Sequence, residues 1–274
     1  MNPEMIARPG QAVKSHLQSV SQICAELTAK CDLEDVGRLL GLLHDFGKYS
    51  SSFQNYLHSA IGEFDPDKDG EYVDAKDMKG KIDHSTAGAQ WIWRYARNYG
   101  PQGQLVGQIL ATCLASHHGG LMDILNPEGI NLFAKRMTKE DQETHFTDSL
   151  EKADKQILQQ LEKVASQHLL IECWHKITAI MKSGDQPEGI GWFKIGLWAR
   201  FLFSCLIDAD RIDSADQEKP ENKTVRRVKG VDWQIAIGRM EARLAALPIR
   251  HDIDHLRRKI SDRCRDRAPE AQGV

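Results

Sequence analysis

The chain has 274 residues, 41% of them apolar and 27% charged, with 36 Lys and Arg against 39 Asp and Glu. That length allows a sizeable core, and this balance is ordinary for a soluble globular protein. A formal net charge of -3 excludes a uniformly basic nucleic-acid binder, so any such surface must be local. The six cysteines (24, 31, 113, 173, 205 and 264) are scattered, with no Cys-x-x-Cys pair. They read as reduced thiols of a cytoplasmic protein. The N-terminus shows no charged, then apolar, then small-residue export signal.

The first predicted element is a helix in which Val13, His16, Leu17, Val20, Ile23, Cys24 and Leu27 recur every three or four residues, placing His16 on the apolar face. A second runs through Leu39, Leu40, Leu42 and Leu43 to His44 and Asp45, with Gly47 read as its breaker. Ser50 to Ser52 predict the cap of a short helix through Phe53, Tyr56 and Leu57. Gly62 to Lys81, with turn signals at Asp65-Pro66 and Asp69-Gly70, reads as a mobile surface insertion. Helical pattern resumes from His84 to about Tyr99 and is broken by Pro101-Gln102-Gly103. Leu105, Ile109, Cys113 and Leu114 mark the next helix, which ends at His117-His118-Gly119-Gly120. A loop from Gly119 to Gly129 leads to one long amphipathic stretch, from about Thr147 to Met181, and a polar break from Ser183 to Gly189.

The helix from Gly191 to about Arg211 is the most apolar. Lys194 and Arg200 within it favour a core helix over a membrane span. After a polar, basic segment from Ser214 to Gly230, helices from about Trp233 to Leu247 and Asp252 to Arg267 close the chain. No β-hairpin is predicted, and an all-α fold follows. Residues 1–213 are expected to form the core, with 214–274 as a linker and basic helices. Between Arg226 and Arg267 there are 12 Lys or Arg against 6 Asp or Glu. That surplus reads either as a solvated helix face or as a track for a DNA backbone.

His16, His44, Asp45, His84, His117, His118 and Asp210 each lie on, or at the end of, a strongly apolar helix. An ionised Asp45 near a core is costly without a cation, and imidazoles with carboxylates suit a divalent transition metal. Their wide separation in sequence requires helices to converge, as in metal sites inside helical bundles. The adjacent pairs His44-Asp45 and His117-His118 suit helix ends, or two metals sharing a bridging carboxylate. Such a pair would clamp a phosphodiester and activate water. The His-rich set leans toward Mn, Fe, Co or Ni, with Mg possible. Lys48, one turn after His44, could reach an anion bound there.

Five segments carry a resemblance in order: Lys14-Ser15-His16-Leu17, His44-Asp45-Phe46-Gly47-Lys48, Asp83-His84-Ser85 with Gly88-Ala89, His117 to Asp123, and Ser204 to Asp210. Together they resemble the HD nuclease domain of the CRISPR-associated nuclease-helicase of type I systems, within the HD metal-dependent phosphohydrolase superfamily. The resemblance spans residues 14 to 213. It implies an HD-domain helical bundle in which His16, His44, Asp45 and Asp210 hold one metal. Asp45 would bridge to a second metal held by His84, His117 and His118, with Lys48 on the scissile phosphate. Asp208 competes with Asp210 for the late position. It lies about 200° round the helix, so the two cannot face one site.

The implied activity is hydrolysis of single-stranded DNA in CRISPR interference, an antiviral defence, away from any membrane. The implied partners are a helicase, in the same full-length chain or as a separate subunit, and an RNA-guided surveillance complex. Asp252 to Val274 resembles the approach to a helicase junction. No phosphate-binding Gly-Lys-Ser/Thr loop is present, so ATP hydrolysis is not expected of these residues. The rival reading is an HD phosphohydrolase acting on nucleotides or cyclic nucleotides.

Overall fold

The computed structural model describes residues 5–78, 80–182, 189–226 and 232–268. Two compact units, residues 1–223 and 224–274, divide the chain. The boundary falls ten residues after the expected division at 213/214, and each unit is described by itself.

Unit one opens with a short departure from helical structure. Strands β1 (Ile6–Arg8) and β2 (Gln11–Ala12) form a short antiparallel pair, Ile6 opposite Ala12 and Arg8 opposite Gln11. Pro9 and Gly10 turn it, with Gly10 at φ 77°, the residue pattern of a type II turn. Two strands of two or three residues carry no readable alternation, which is why the sequence shows no hairpin.

Helix α1 (Val13–Thr28) buries Val13, His16, Leu17, Val20 and Cys24 along one stripe. Helix α2 (Glu34–Leu43) has Glu34 and Asp35 in its first turn, where the helix dipole favours them. It buries Val36, Leu39, Leu40, Leu42 and Leu43 on nearly every side. Each such side chain is worth roughly 1.5–3 kcal/mol of burial. Gly41 lets α1 cross against this helix, since a Cβ there would lie 2.4 Å from Ser21 Cα.

The α-helix stops at Leu43 with His44 as its C-cap, and Phe46–Tyr49 continue as a 3-10 turn. Gly47 is not the breaker. Its φ is not positive, and a Cβ there would meet the backbone of His84 at 2.5 Å. The glycine is required by close packing, not by a turn.

Helix α3 (Ser51–Ala60) is capped by Ser50, whose Oγ accepts from Phe53 N–H at 3.3 Å. The insertion that follows is largely exposed and contains α4 (Ala75–Met78). Helix α5 (Thr86–Ala96) begins two residues after His84, so His84 sits in the loop before the helix. Pro101 does not end a helix; it occupies the first turn of α6 (Gly100–Ser116), where its missing N–H costs nothing.

The single amphipathic stretch expected from Thr147 to Met181 is broken. After α7 (Leu132–Met137) and α8 (Asp141–Thr144) come α9 (Phe146–Lys152), α10 (Lys155–Val164) and α11 (Gln167–Lys182). Asp154 caps α10 through Gln156 N–H, and Ser166 accepts from Leu169 N–H at the start of α11. Of the polar break read after Met181, residues 183–188 lie outside the described residues.

Helix α12 (Ile190–Glu218) runs a full two turns past the expected end. It is long and apolar enough to cross a membrane by length and composition. It packs against α1, α6 and α11 along one face, burying Ile195, Trp198, Leu202, Leu206 and Ala209, while Trp192, Phe193 and Leu197 near its start are exposed. A short α13 (Glu221–Arg226) follows.

Unit two contains α14 (Trp233–Ala246) and α15 (Asp252–Arg267), at the expected positions. Glu241 pairs with Arg265 at 3.1 Å, and Arg258 donates to the carbonyls of Leu244, Ala245 and Leu247. Neither helix buries a residue, and Trp233, Ile237, Met240 and Leu256 are exposed.

Candidate metal centre

Four elements of unit one deliver the site. Helix α1 contributes His16, the end of α2 contributes His44 and Asp45, the end of α6 contributes His117 and His118, and α12 contributes Asp210. His84 arrives from the loop before α5. Apolar packing brings these polar ends together: Leu17, Leu40, Leu43, Leu114 and Leu206 are all fully buried beside them in sequence.

The ligand-bearing atoms fall into two groups. His16, His44, Asp45 and Asp210 form one; Asp45, His84, His117 and His118 form the other. Within each, the candidate ligand atoms lie no more than 4.8 Å apart.

Asp45 belongs to both groups through different oxygens. Its Oδ2 lies 3.1 Å from His16 Nε2 and 3.3 Å from His44 Nε2. Its Oδ1 lies 3.2 Å from His117 Nε2 and 3.6 Å from each of His84 Nε2 and His118 Nε2. Asp210 Oδ1 lies 3.6 Å from His16 Nε2 and 3.8 Å from His44 Nε2. Asp208 is exposed and joins neither group.

The other ring nitrogens set the tautomers. His44 Nδ1 donates to Gly41 O at 2.8 Å, His117 Nδ1 to Leu114 O at 2.7 Å and His84 Nδ1 to Ile82 O at 3.1 Å. His16 Nδ1 meets Asp213 Oδ2 at 2.7 Å. A carbonyl or an ionised carboxylate only accepts, so each of these Nδ1 atoms carries the proton. In the neutral rings the Nε2 lone pairs then converge. His16 and His44 Nε2 are 3.1 Å apart, while His84 Nε2 lies 2.7 Å from His118 Nε2, whose ring is free to donate to it. Facing lone pairs repel unless a cation or a proton lies between them. Imidazoles oriented through Nδ1–H, with a carboxylate shared among them, are the donor set of a divalent metal.

The protonation equilibria reflect the same geometry. Burial works to raise the Asp45 pKa, but the Lys48 ammonium beside it, together with the surrounding His44, His117 and His118 rings, holds it well below the usual carboxylate range. Burial works to lower that of His16, yet its bonds to Asp213 and Asp45 raise it above the ordinary imidazole value. Burial pushes His84 down to about 4. His118 is half exposed, with His84 and Asp210 about a fifth exposed, so the site opens on that side.

Lys48 lies against the shared carboxylate. Its Nζ lies 2.7 Å from Asp45 Oδ2 and donates to Ala7 O at 3.4 Å, and the residue is buried.

Three residues of the site, Asp213, Gln11 and Arg8, have no counterpart in the sequence reading. Asp213 is buried and accepts from Gln11 Nε2 at 2.9 Å as well as from His16. Burial works to raise its pKa, but bonds from His16, Ser19 and Gln11 bring it down to about 2. It follows Asp210 by three residues on one helix face, and that spacing was the available signal. Arg8, on β1, is the third, with a guanidinium nitrogen 3.8 Å from Asp210 Oδ1. Asp83 also braces the site. It accepts from Thr86 N–H, pairs with Lys139 at 3.0 Å and Arg136 at 3.5 Å, and so fixes the loop bearing His84.

The two late carboxylates give a direct prediction. Asp210→Ala should lower the metal content of protein purified without chelator, and Asp208→Ala should leave it unchanged. The opposite ranking by elemental analysis would place the ligand face of α12 on the wrong side.

The family model described as Cas3, HD domain, matches residues 9–187. That span holds all five histidines and Asp45 but ends before α12, so Asp210 and Asp213 join the site on geometry alone. A search of curated proteins found no match to the chain.

Proposed function

Because the chain belongs to the Cas3 HD-domain family, a CRISPR-associated group of metal-dependent HD phosphohydrolases, we propose that it is a nuclease that hydrolyses single-stranded DNA during CRISPR interference. The observation that carries this reading is the division of Asp45, one oxygen facing His16 and His44, the other facing His84, His117 and His118. A carboxylate so divided suits two divalent ions, His16, His44, Asp45 and Asp210 holding one and Asp45, His84, His117 and His118 the other. When bound, such ions supply an activated water and offset the charge that develops on a phosphodiester.

The protein's own groups do the rest. Asp213 holds the His16 ring in the tautomer that points Nε2 inward, and the carbonyls of Gly41, Leu114 and Ile82 do the same for His44, His117 and His84. Lys48 offers three N–H donors. One goes to Asp45 and one to Ala7 O, leaving one for a phosphate oxygen of the bound strand. Mn, Co, Ni or Fe fit the five imidazoles better than Mg. The helicase partner that the family implies would deliver the strand, and an RNA-guided surveillance complex in the cytoplasm would select the DNA.

The deciding assay presents circular single strands, linear duplex and free nucleotides under one metal condition. Cleavage of the circles is expected, with intact duplex largely uncut whether or not ATP is added. A flexible strand can bend its phosphate into a recess between helices without unpairing energy. Cutting should also weaken with rising salt, as phosphate contacts require. Rapid hydrolysis of nucleotides with no cutting of strands would replace this reading by the nucleotide phosphohydrolase.

A further inference from the structure

The short hairpin at the start of the chain is tied down far more thoroughly than two strands of two and three residues need. Gln54 accepts from Ile6 N–H at 3.0 Å and donates to Ile6 O at 2.9 Å. Lys48 donates to Ala7 O, Gln217 donates to Gly10 O at 3.1 Å, and Gln11 donates to Asp213. Met5 O accepts from Val13 N–H at 2.8 Å where the hairpin enters α1. These bonds come from α3, α12 and the turn after α2, so the backbone on either side of Arg8 is fixed to α12 and the turn after Asp45, which belong to the metal centre, and to α3 beside them.

Arg8 itself makes no strong contact. Its guanidinium lies 3.8 Å from Asp210 Oδ1, beyond hydrogen-bond reach. It lies 3.4 Å from His16 Nδ1, but that nitrogen already gives its proton to Asp213 and has no lone pair to accept another. The side chain is 23% exposed. A planar fork of donors, rigidly carried and partly open beside one group of metal ligands, matches the two oxygens of a phosphate. Lys48 is the contrasting case, buried and with two of its three donors engaged.

We propose that Arg8 is a substrate-binding residue, gripping a DNA phosphate beside the group formed by His16, His44, Asp45 and Asp210. The proposal rests on the nuclease reading. Its rival is that Arg8 serves only to offset the charge of Asp210, and the two differ in what Arg8 removal disturbs.

The test compares the full chain with its Arg8→Ala and Arg8→Lys variants. Binding of a fluorescent single-stranded oligonucleotide by metal-free protein is measured by anisotropy across a salt series. Metal content and the split of cleavage into kcat and KM are measured separately. For Arg8→Ala the expected result is binding several-fold weaker, with the slope of log affinity against log salt shallower by about 0.7, the value for one phosphate contact to a single strand. Metal content should be unchanged, KM should rise more than kcat falls, and Arg8→Lys should recover part of the binding. Unchanged binding and salt slope would overturn the proposal, as would a loss of metal with binding intact, which would make Arg8 the charge partner of Asp210. Wild-type protein that neither binds nor cuts single strands would remove the nuclease reading and this proposal together, a failure distinct from one confined to the variants.

Discussion

Asp45→Ala is expected to abolish cleavage and to empty both metal groups at once. Among the described residues no other is shared by the two, so this change removes one ligand from each and the one carboxylate among the ligands of the second. The lost stabilisation of transition-state charge amounts to several kcal/mol, or at least about 10³-fold in rate. Asp45 is also the partner of Lys48 at 2.7 Å, and breaking a buried pair costs about 3–5 kcal/mol when the remaining charge stays trapped. Activity could therefore fall through unfolding alone. The double variant Asp45→Ala, Lys48→Met removes the stranded ammonium and keeps the packing, so it should retain the helical circular dichroism spectrum while staying inactive and metal-poor. Full activity of Asp45→Ala with Mn, Co and Ni would end the shared-carboxylate account.

The parts of this site that were legible in the sequence are those carried by long apolar periodicity. His16, His44, His117 and Asp210 lie in or at the ends of helices whose buried stripes are evident from Val13, Leu40, Leu114 and Leu206 alone. What escaped was set by tertiary context. Arg8 sits on a strand too short to show a pattern. Asp213 lay beyond the apparent end of α12, because the last two turns, from Arg211 to Glu218, are polar. A polar helix continuation and a polar loop look alike when only hydrophobic period is read.

Gly47 and Pro101 were misassigned for a related reason. Glycine serves turns and close approaches equally, and proline opens helices as readily as it stops them. Only the neighbouring element, His84 against Gly47 and the first turn of α6 around Pro101, decides between the two. The capping residues Asp154 and Ser166 were visible, and they explain the division of the stretch from Thr147 to Met181.

Gly88→Ala tests whether the close approach of helices sets the site. Gly88 lies in the first turn of α5, and a Cβ there would stand 1.8 Å from Leu43 O and 2.8 Å from Leu43 C. Both are backbone atoms of the last turn of α2, one residue before His44, so no side chain can swing away. Alanine is the better helix former by about 1 kcal/mol, and in an open helix this substitution would stabilise. Here α5 must instead withdraw by more than 1 Å, and overpacking of that kind costs roughly 1–3 kcal/mol before any propensity gain. The displacement also moves His84, just before α5, away from His44 and Asp45. A misplacement near 1 Å costs about 10²-fold in rate. Gly88→Ala is therefore expected to lower the Tm by several degrees and to cut both metal content and cleavage sharply. Gly70→Ala, where an added Cβ meets nothing within 4 Å and φ is not positive, should change neither. A Gly88→Ala protein with wild-type Tm and activity would show that α2 and α5 can separate without disturbing the metal ligands.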